Sequence, residues 1–231
     1  MPGSINIPYD INGRTKELSA YVLDPVRKPI CKINGITRFD VDLRFNDISE
    51  IQLDVPKYSI NASTHESQET EAYKWLKSFC QILVPELGEK GYFIIHEEPT
   101  IVAQSTKDEV KTFTARSYES VLEFESLVLF SINQGTDISK EMYDENLDGM
   151  GYPQERIRLY NEQNPKLSLL DWVLKDDYYG WTIGHVDTSI KGLERAFEID
   201  NQNVYSFLHA DISKAFRCII DFNTRDKIIN V

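Results

Sequence analysis

No apolar run in this chain approaches the roughly 18 residues that a membrane-crossing helix needs. The opening Met1-Pro2-Gly3-Ser4-Ile5-Asn6-Ile7-Pro8 has neither a basic stretch nor an apolar core, so the expectation is that no secretion signal is present. Cysteine is scarce and unpaired in sequence: Cys31, Cys80 and Cys218 form no C-x-x-C motif. An odd number of scattered cysteines reads as reduced, partly buried thiols in a protein made in a cytosol. Positive charge is also short. Twenty-five Lys and Arg stand against 37 Asp and Glu, a net charge of −12. Affinity for nucleic acid comes mostly from cations that neutralise phosphates, and anionic membranes likewise attract basic segments. The balance therefore argues against both as partners. Internal repeats, a phosphate-cradling glycine loop and a G-x-S-x-G elbow are all missing.

What the chain does have is β patterning. Phe39, Val41, Leu43 and Phe45 alternate with Arg38, Asp40, Asp42 and Arg44, a period of two with one apolar face. After the turn-prone Asn46-Asp47 the alternation resumes at Ile51, Leu53 and Val55, which predicts an antiparallel hairpin or meander. Tyr92 to His96 reads as a further strand, with Val110 to Ala115 as its partner. Glu69 to Leu83 has a helix-friendly start but apolar residues at mixed spacing, and fits helix or strand equally. Ser131 to Gln163 is polar and reads as a boundary or insertion.

The last third is patterned most sharply. Ser168 and Asp171 have the S-x-x-D spacing of a capping box, so a helix should start there with Leu170, Val173 and Leu174 on one face. A second helix is expected from about Asn203 to Phe216. Its Val204, Phe207, Leu208, Ile212, Ala215 and Phe216 follow helical spacing, and Asp200 or Asn201 is placed to cap it. Then come an apolar run from Arg217 to Phe222, a turn at Asn223-Thr224-Arg225-Asp226, and a returning strand from Lys227 to Val231. The chain stops while that strand is running, which gives the expectation of a longer protein.

Candidate chemistry is thin. Asp144, Asn146, Asp148, Gly149 and Glu155 sit at the ligand positions of a calcium loop, although Gly151 replaces the usual apolar residue and Pro153 lies inside it. The same residues also read as an acidic solvent loop. His96-Glu97-Glu98-Pro99 lacks the second histidine of a zinc-protease helix, and His65, His185 and His209 are scattered. The carboxylate pairs Asp40/Asp42 and Asp176/Asp177 read as solvent-facing charges rather than an acid–base pair on a glycan. Trp172, Tyr178, Tyr179 and Trp181 read as core, or else as a subunit interface. The residues alone give no catalytic, cofactor-binding or metal-binding assignment.

The string Asn164-Pro165-Lys166-Leu167-Ser168-Leu169-Leu170-Asp171, then Gly180-Trp181-Thr182-Ile183-Gly184-His185-Val186-Asp187, then Asn203-Val204-Tyr205-Ser206-Phe207-Leu208, resembles the tail-tip proteins of siphophages and prophages. That family is the one named for endopeptidase tails and tail-associated lysins. The closing Asp221 to Val231 resembles its "Phe-Asp-Thr…Ile-x-Val-Tyr" hairpin, with Asn223 where Asp is usual. Gly91 to Ile95 and Lys111 to Leu122 match the family's first β domain more loosely. The resemblance implies a hub-like module of the baseplate-hub kind, α+β and β-rich, with β-barrel or sheet domains and a few short helices. Residues 1–125 would form the first domain, 126–163 a boundary or insertion, and 164–231 a second domain. It also implies a homotrimer in the virion, beneath the distal tail protein and near the end of the tape measure protein. Lytic domains of such proteins lie further on, so no catalytic residue is carried over; a cell-wall hydrolase is the alternative.

Overall fold

The computed structural model describes residues 18–60, 65–103, 109–127, 130–132, 156–165, 168–174, 180–199 and 201–231. The fold is α+β and β-rich, and the chain divides into two compact units, Met1–Tyr118 and Glu119–Val231.

Unit 1 is built on one large antiparallel sheet. Its strands are β1 (Tyr21–Leu23), β2 (Pro29–Lys32), β3 (Arg38–Asp42) and β4 (Glu50–Pro56). A small separate hairpin follows, β5 (Tyr58–Ile60) with β6 (Ser67–Glu69), then a single-turn helix α1 (Glu71–Trp75). The sheet is completed by β7 (Gln81–Leu83), β8 (Tyr92–Ile95), β9 (Thr100–Ala103) and β10 (Glu109–Ser117), in the order β2-β1-β7-β8-β10-β4-β3, with β9 also on β10. Among the described residues the sheet is open, with β2 and β3 at its ends, so the barrel alternative of the sequence reading is replaced by a sheet.

The expected hairpin is present, with Phe39 opposite Leu53 and Val41 opposite Ile51. The long strand β10 pairs with β4 from Val110 to Arg116 and, at Ala115 and Arg116, with Ile95 and Ile94 of β8. Strand β4 shows the period of two in pure form. Ile51, Leu53 and Val55 are fully buried, while Glu50, Gln52, Asp54 and Pro56 between them are half-exposed. One face of the sheet thus carries the core, joined by Val22, Ile82, Phe93, Ile95 and Phe113, and by Ala72 and Leu76 from around α1. The apolar stripe on β3 stops early: Phe45, expected on the buried face, is 83% exposed because the strand ends at Asp42. The ambiguous stretch resolves as both alternatives in turn, α1 and then β7.

Unit 2 holds short ladders around an aromatic core. Its elements are β11 (Ser126–Leu127), β12 (Phe130–Ile132), β13 (Ile157–Arg158), α2 (Leu169–Val173), β14 (Thr182–Ile183), β15 (Glu194–Arg195), β16 (Phe197–Ile199) and β17 (Gln202–Asn203). Strands β11, β12 and β13 pair with β17, β16 and β15, respectively. The capping box forms as expected: Ser168 Oγ accepts the N–H of Asp171 at 3.3 Å, and Leu169, Leu170 and Val173 are buried.

Residues 204–216 are helical throughout (α3), but not in one register. Val204–Ser206 and Ser213–Phe216 are α-helical, and Phe207–Ile212 between them is a π-helix. The wider turn shifts the phase, so Ala215, which α spacing places on the apolar face, is only half-buried while Phe216 is buried. The cap is Asn203, whose Oδ1 accepts the Ser206 N–H at 2.7 Å, in place of Asp200 or Asn201. Asp200 lies outside the described residues. Arg217 then ends the helix in the left-handed conformation.

The closing hairpin, β18 (Asp221–Asn223) with β19 (Ile228–Asn230), is antiparallel as expected. The segment after Gly180, which lies between the two helices and reads as a strand, supplies a third strand whose pairing the sequence does not show: β14 joins β19 in parallel, Thr182 beside Ile228 and Ile183 beside Ile229.

Candidate functional site

The residues of the tail-tip-like string are fold residues. Gly180 takes a φ of +76°, which lets the chain turn into β14. Trp181 is 1% exposed, and its ring meets Phe222 edge-on at 5.6 Å. Phe222 stacks in turn on Tyr205 at 5.8 Å, and Tyr205 on His209 at 5.3 Å. Gly184 is the tightest position. A Cβ there would lie 2.3 Å from Ile228 Cγ2 and 2.5 Å from Asn230 Oδ1. That closeness allows the Gly184 N–H to reach the Ile229 carbonyl at 2.9 Å and the His185 N–H to reach Asn230 Oδ1 at 2.9 Å. Gly184→Ala is therefore expected to cost unit 2 about 1–3 kcal/mol through overpacking. Urea unfolding followed by Trp fluorescence reads this directly.

The departure at Asn223 has a chemical role. Its Oδ1 accepts the Asp226 N–H at 2.9 Å, as an Asp could, but its Nδ2 also donates to Asp226 Oδ2 at 3.1 Å. An Asp would instead set two carboxylates against each other.

The candidate acid–base residues are held in surface ion pairs. Asp40 accepts from Arg38 Nε at 2.6 Å, and Asp42 from Arg44 Nε at 2.8 Å, all of them well exposed. Asp176, Asp177, Tyr178, Tyr179 and the calcium-loop residues Asp144 to Glu155 lie outside the described residues. Among the described residues, no group of three or more His, Cys, Asp or Glu is placed to hold a metal ion. Burial raises all three thiol pKa values, Cys80 to about 11, so they stay protonated at neutral pH and are poor nucleophiles.

Two charge arrangements escaped the sequence reading, one around a partly buried lysine and one a half-exposed ion pair. Lys111 is deep enough that desolvation lowers its pKa. Its Nζ donates to the carbonyls of Tyr73 (2.7 Å) and Leu76 (2.8 Å) at the end of α1, and it lies 4.5 Å from the centre of the Tyr73 ring. Nearby, Lys57 Nζ donates to Glu109 Oε2 at 2.7 Å. These contacts tie α1 and β5 to β10.

Burial raises the pKa of the Asp171 carboxyl, against the lowering effect of its bond to Ser168. A carboxyl whose folded pKa is raised favours folding at low pH, and that contribution is lost as pH rises from the unfolded value through the folded one. Asp171→Asn should remove this component. The variant's Tm relative to the parent is expected to rise across the mildly acidic range, checked by melting curves at about pH 3.5 to 7.

The described surface of unit 1 includes two concavities. One, of about 630 Å³, is lined by neutral residues including Asn34, Gly35, Thr37, Tyr58, Ser59 and Gln68. The other, of about 400 Å³, lies between β1, β2 and the segment linking α1 to β7, and its lining includes Leu23, Ile30, Trp75 and Phe79.

No protein-family model matches the chain, and no curated protein matches its sequence. Among solved structures, the chain is similar to the 43 kDa tail protein of prophage MuSo2 from Shewanella oneidensis. The identity is 13% and the TM-score 0.45, with 93% of this chain and 54% of that protein covered. The chain thus spans about half the length of that tail protein. No described helix is long and apolar enough to cross a membrane.

Proposed function

We propose that the chain is a structural component of a phage or prophage tail tip: a hub module, assembled as a homotrimer, that joins the tail tube and distal tail protein to downstream host-binding or lytic parts. The observation that carries this reading is the tail-tip-like string of the last third. Its Gly180, Trp181, Gly184, Tyr205, Phe222 and Asn223 all do packing or turn work in one closed cluster. A pattern made of such residues identifies a shape and carries no chemistry of its own. A net charge of −12 suits a part that DNA must pass without sticking. Closed cyclic symmetry suits a part that must match a tubular tail.

The protein would be found in the virion, in contact with the distal tail and tape measure proteins. Affinity capture of the full-length protein with the proteins of the same tail tests the partners, and the distal tail protein is expected to be retained. The non-enzymatic reading is tested by turbidity of host cell walls. No clearing by residues 1–231 is expected, and clearing would reassign the chain as a wall hydrolase.

A further inference from the structure

The turn between β2 and β3 holds the pair Asn34-Gly35. A second such pair, Asn12-Gly13, lies outside the described residues. The turn is fixed at both ends. The Ile33 N–H donates to the Ala20 carbonyl at 2.8 Å, and the Thr37 N–H to the Asp54 carbonyl at 3.0 Å. Between these anchors Gly35 takes a φ of +68°, and a Cβ there would lie 2.8 Å from the Ser59 Cβ. Conformation and space both call for glycine at this position.

The same glycine opens Asn34 to attack from its own backbone. A glycine nitrogen has no side chain beside it to shield the preceding carboxamide carbon. Both residues are exposed, and no hydrogen bond among the described residues engages the Asn34 side chain or the Gly35 N–H. The other described asparagines differ. The side-chain oxygens of Asn161, Asn203, Asn223 and Asn230 accept backbone N–H groups, at 3.2, 2.7, 2.9 and 2.9 Å. Asn164 precedes Pro165, which has no N–H to ionise. Asn46 and Asn201 precede Asp47 and Gln202, whose side chains crowd the approach.

We propose that Asn34 is a site of spontaneous deamidation. The Gly35 amide gives its proton to base, and its nitrogen bonds to Asn34 Cγ. The carboxamide C–N bond breaks, ammonia leaves with a proton taken from water, and a cyclic imide closes. Water then adds to either imide carbonyl and opens the ring, which leaves aspartate or isoaspartate at position 34. The net reaction consumes one water and releases one ammonia, with no change of oxidation state. The product sets a carboxylate in the lining of the concavity of about 630 Å³, where Asn34 and Gly35 meet Thr37, Tyr58, Ser59 and Gln68 and no charged side chain takes part. A neutral concavity becomes an anionic one. In the isoaspartyl product the backbone also lengthens within a turn anchored on both sides.

The test incubates folded residues 1–231 in water enriched in heavy oxygen, at mildly alkaline pH, and maps the digested fragments by mass spectrometry. Label should enter residue 34 as a mixture of aspartate and isoaspartate, at least about tenfold faster than any other described asparagine. The rate should rise with pH, because the deprotonated amide is the nucleophile. Asn34→Gln should lower labelling at this position at least about tenfold, since the longer side chain must close a wider ring. A parallel incubation in urea separates the turn from the bare sequence, and the folded protein should react within about tenfold of the unfolded chain. Three results would overturn the proposal. One is conversion in urea with none in the folded protein, which would mean that the turn protects Asn34. The others are labelling at Asn34 no faster than at the remaining described asparagines, and aspartate without isoaspartate, which marks direct hydrolysis instead of ring closure.

Discussion

Trp181→Ala is expected to lower the stability of the 119–231 unit by about 3–5 kcal/mol, the cost of emptying a large, fully buried aromatic site. The reasons lie in the immediate contacts. The indole is 1% exposed and packs edge-on against Phe222, which stacks on Tyr205 of α3. Removing it therefore leaves a cavity where β14, β18 and α3 meet. A loss of that size is comparable to the whole stability of many small domains. The corresponding fall in Tm is roughly 10 °C or more. Hydrogen exchange read by mass spectrometry should show early exchange over 182–183, 204–216 and 221–230, with protection retained over 50–56 and 109–117. Retained protection over 204–216 would mean that the aromatic cluster is not the keystone of unit 2.

Phe93→Ala is the matching change in unit 1. Phe93 is fully buried on β8, opposite Ile82 of β7 and Ser117 of β10, so it lies between the two halves of the large sheet. Its truncation is expected to cost about 3–5 kcal/mol, since a site flanked on both sides by paired strands has little freedom to collapse. Here the exchange pattern should invert, with 50–56, 81–83 and 109–117 losing protection first. If both variants melted the chain as a single transition, the two compact units would not be independent folding units.

Local patterns were legible in the sequence; pairings between distant segments were not. The alternation of Ile51, Leu53 and Val55 is a direct record of one buried face, and the structure buries all three. The capping box at Ser168 was legible because its chemistry spans only three residues. The parallel pairing of β14 with β19 joins residues more than forty positions apart, and no local spacing encodes it. The π-helical turn escaped for a related reason. Apolar spacing reports which side chains are buried, and a single wide turn moves the phase by less than a short pattern can resolve. At the surface the sequence showed Trp75 and Phe79 only as apolar residues at mixed spacing. The left-handed φ of Phe79 is a backbone property and its exposure depends on the tertiary packing, so neither is written in the local spacing.

The described candidate residues have structural placements. Asp40 and Asp42 serve arginines on the surface, and the glycines and aromatics of the last third hold a hairpin.

The most direct test of the tail-tip account is size-exclusion chromatography with light scattering on the full-length protein, alone and mixed with the distal tail protein of the same phage. The account predicts a mass three times that of the single chain, and a heavier complex when the distal tail protein is added. A monomer that binds no distal tail protein would contradict it.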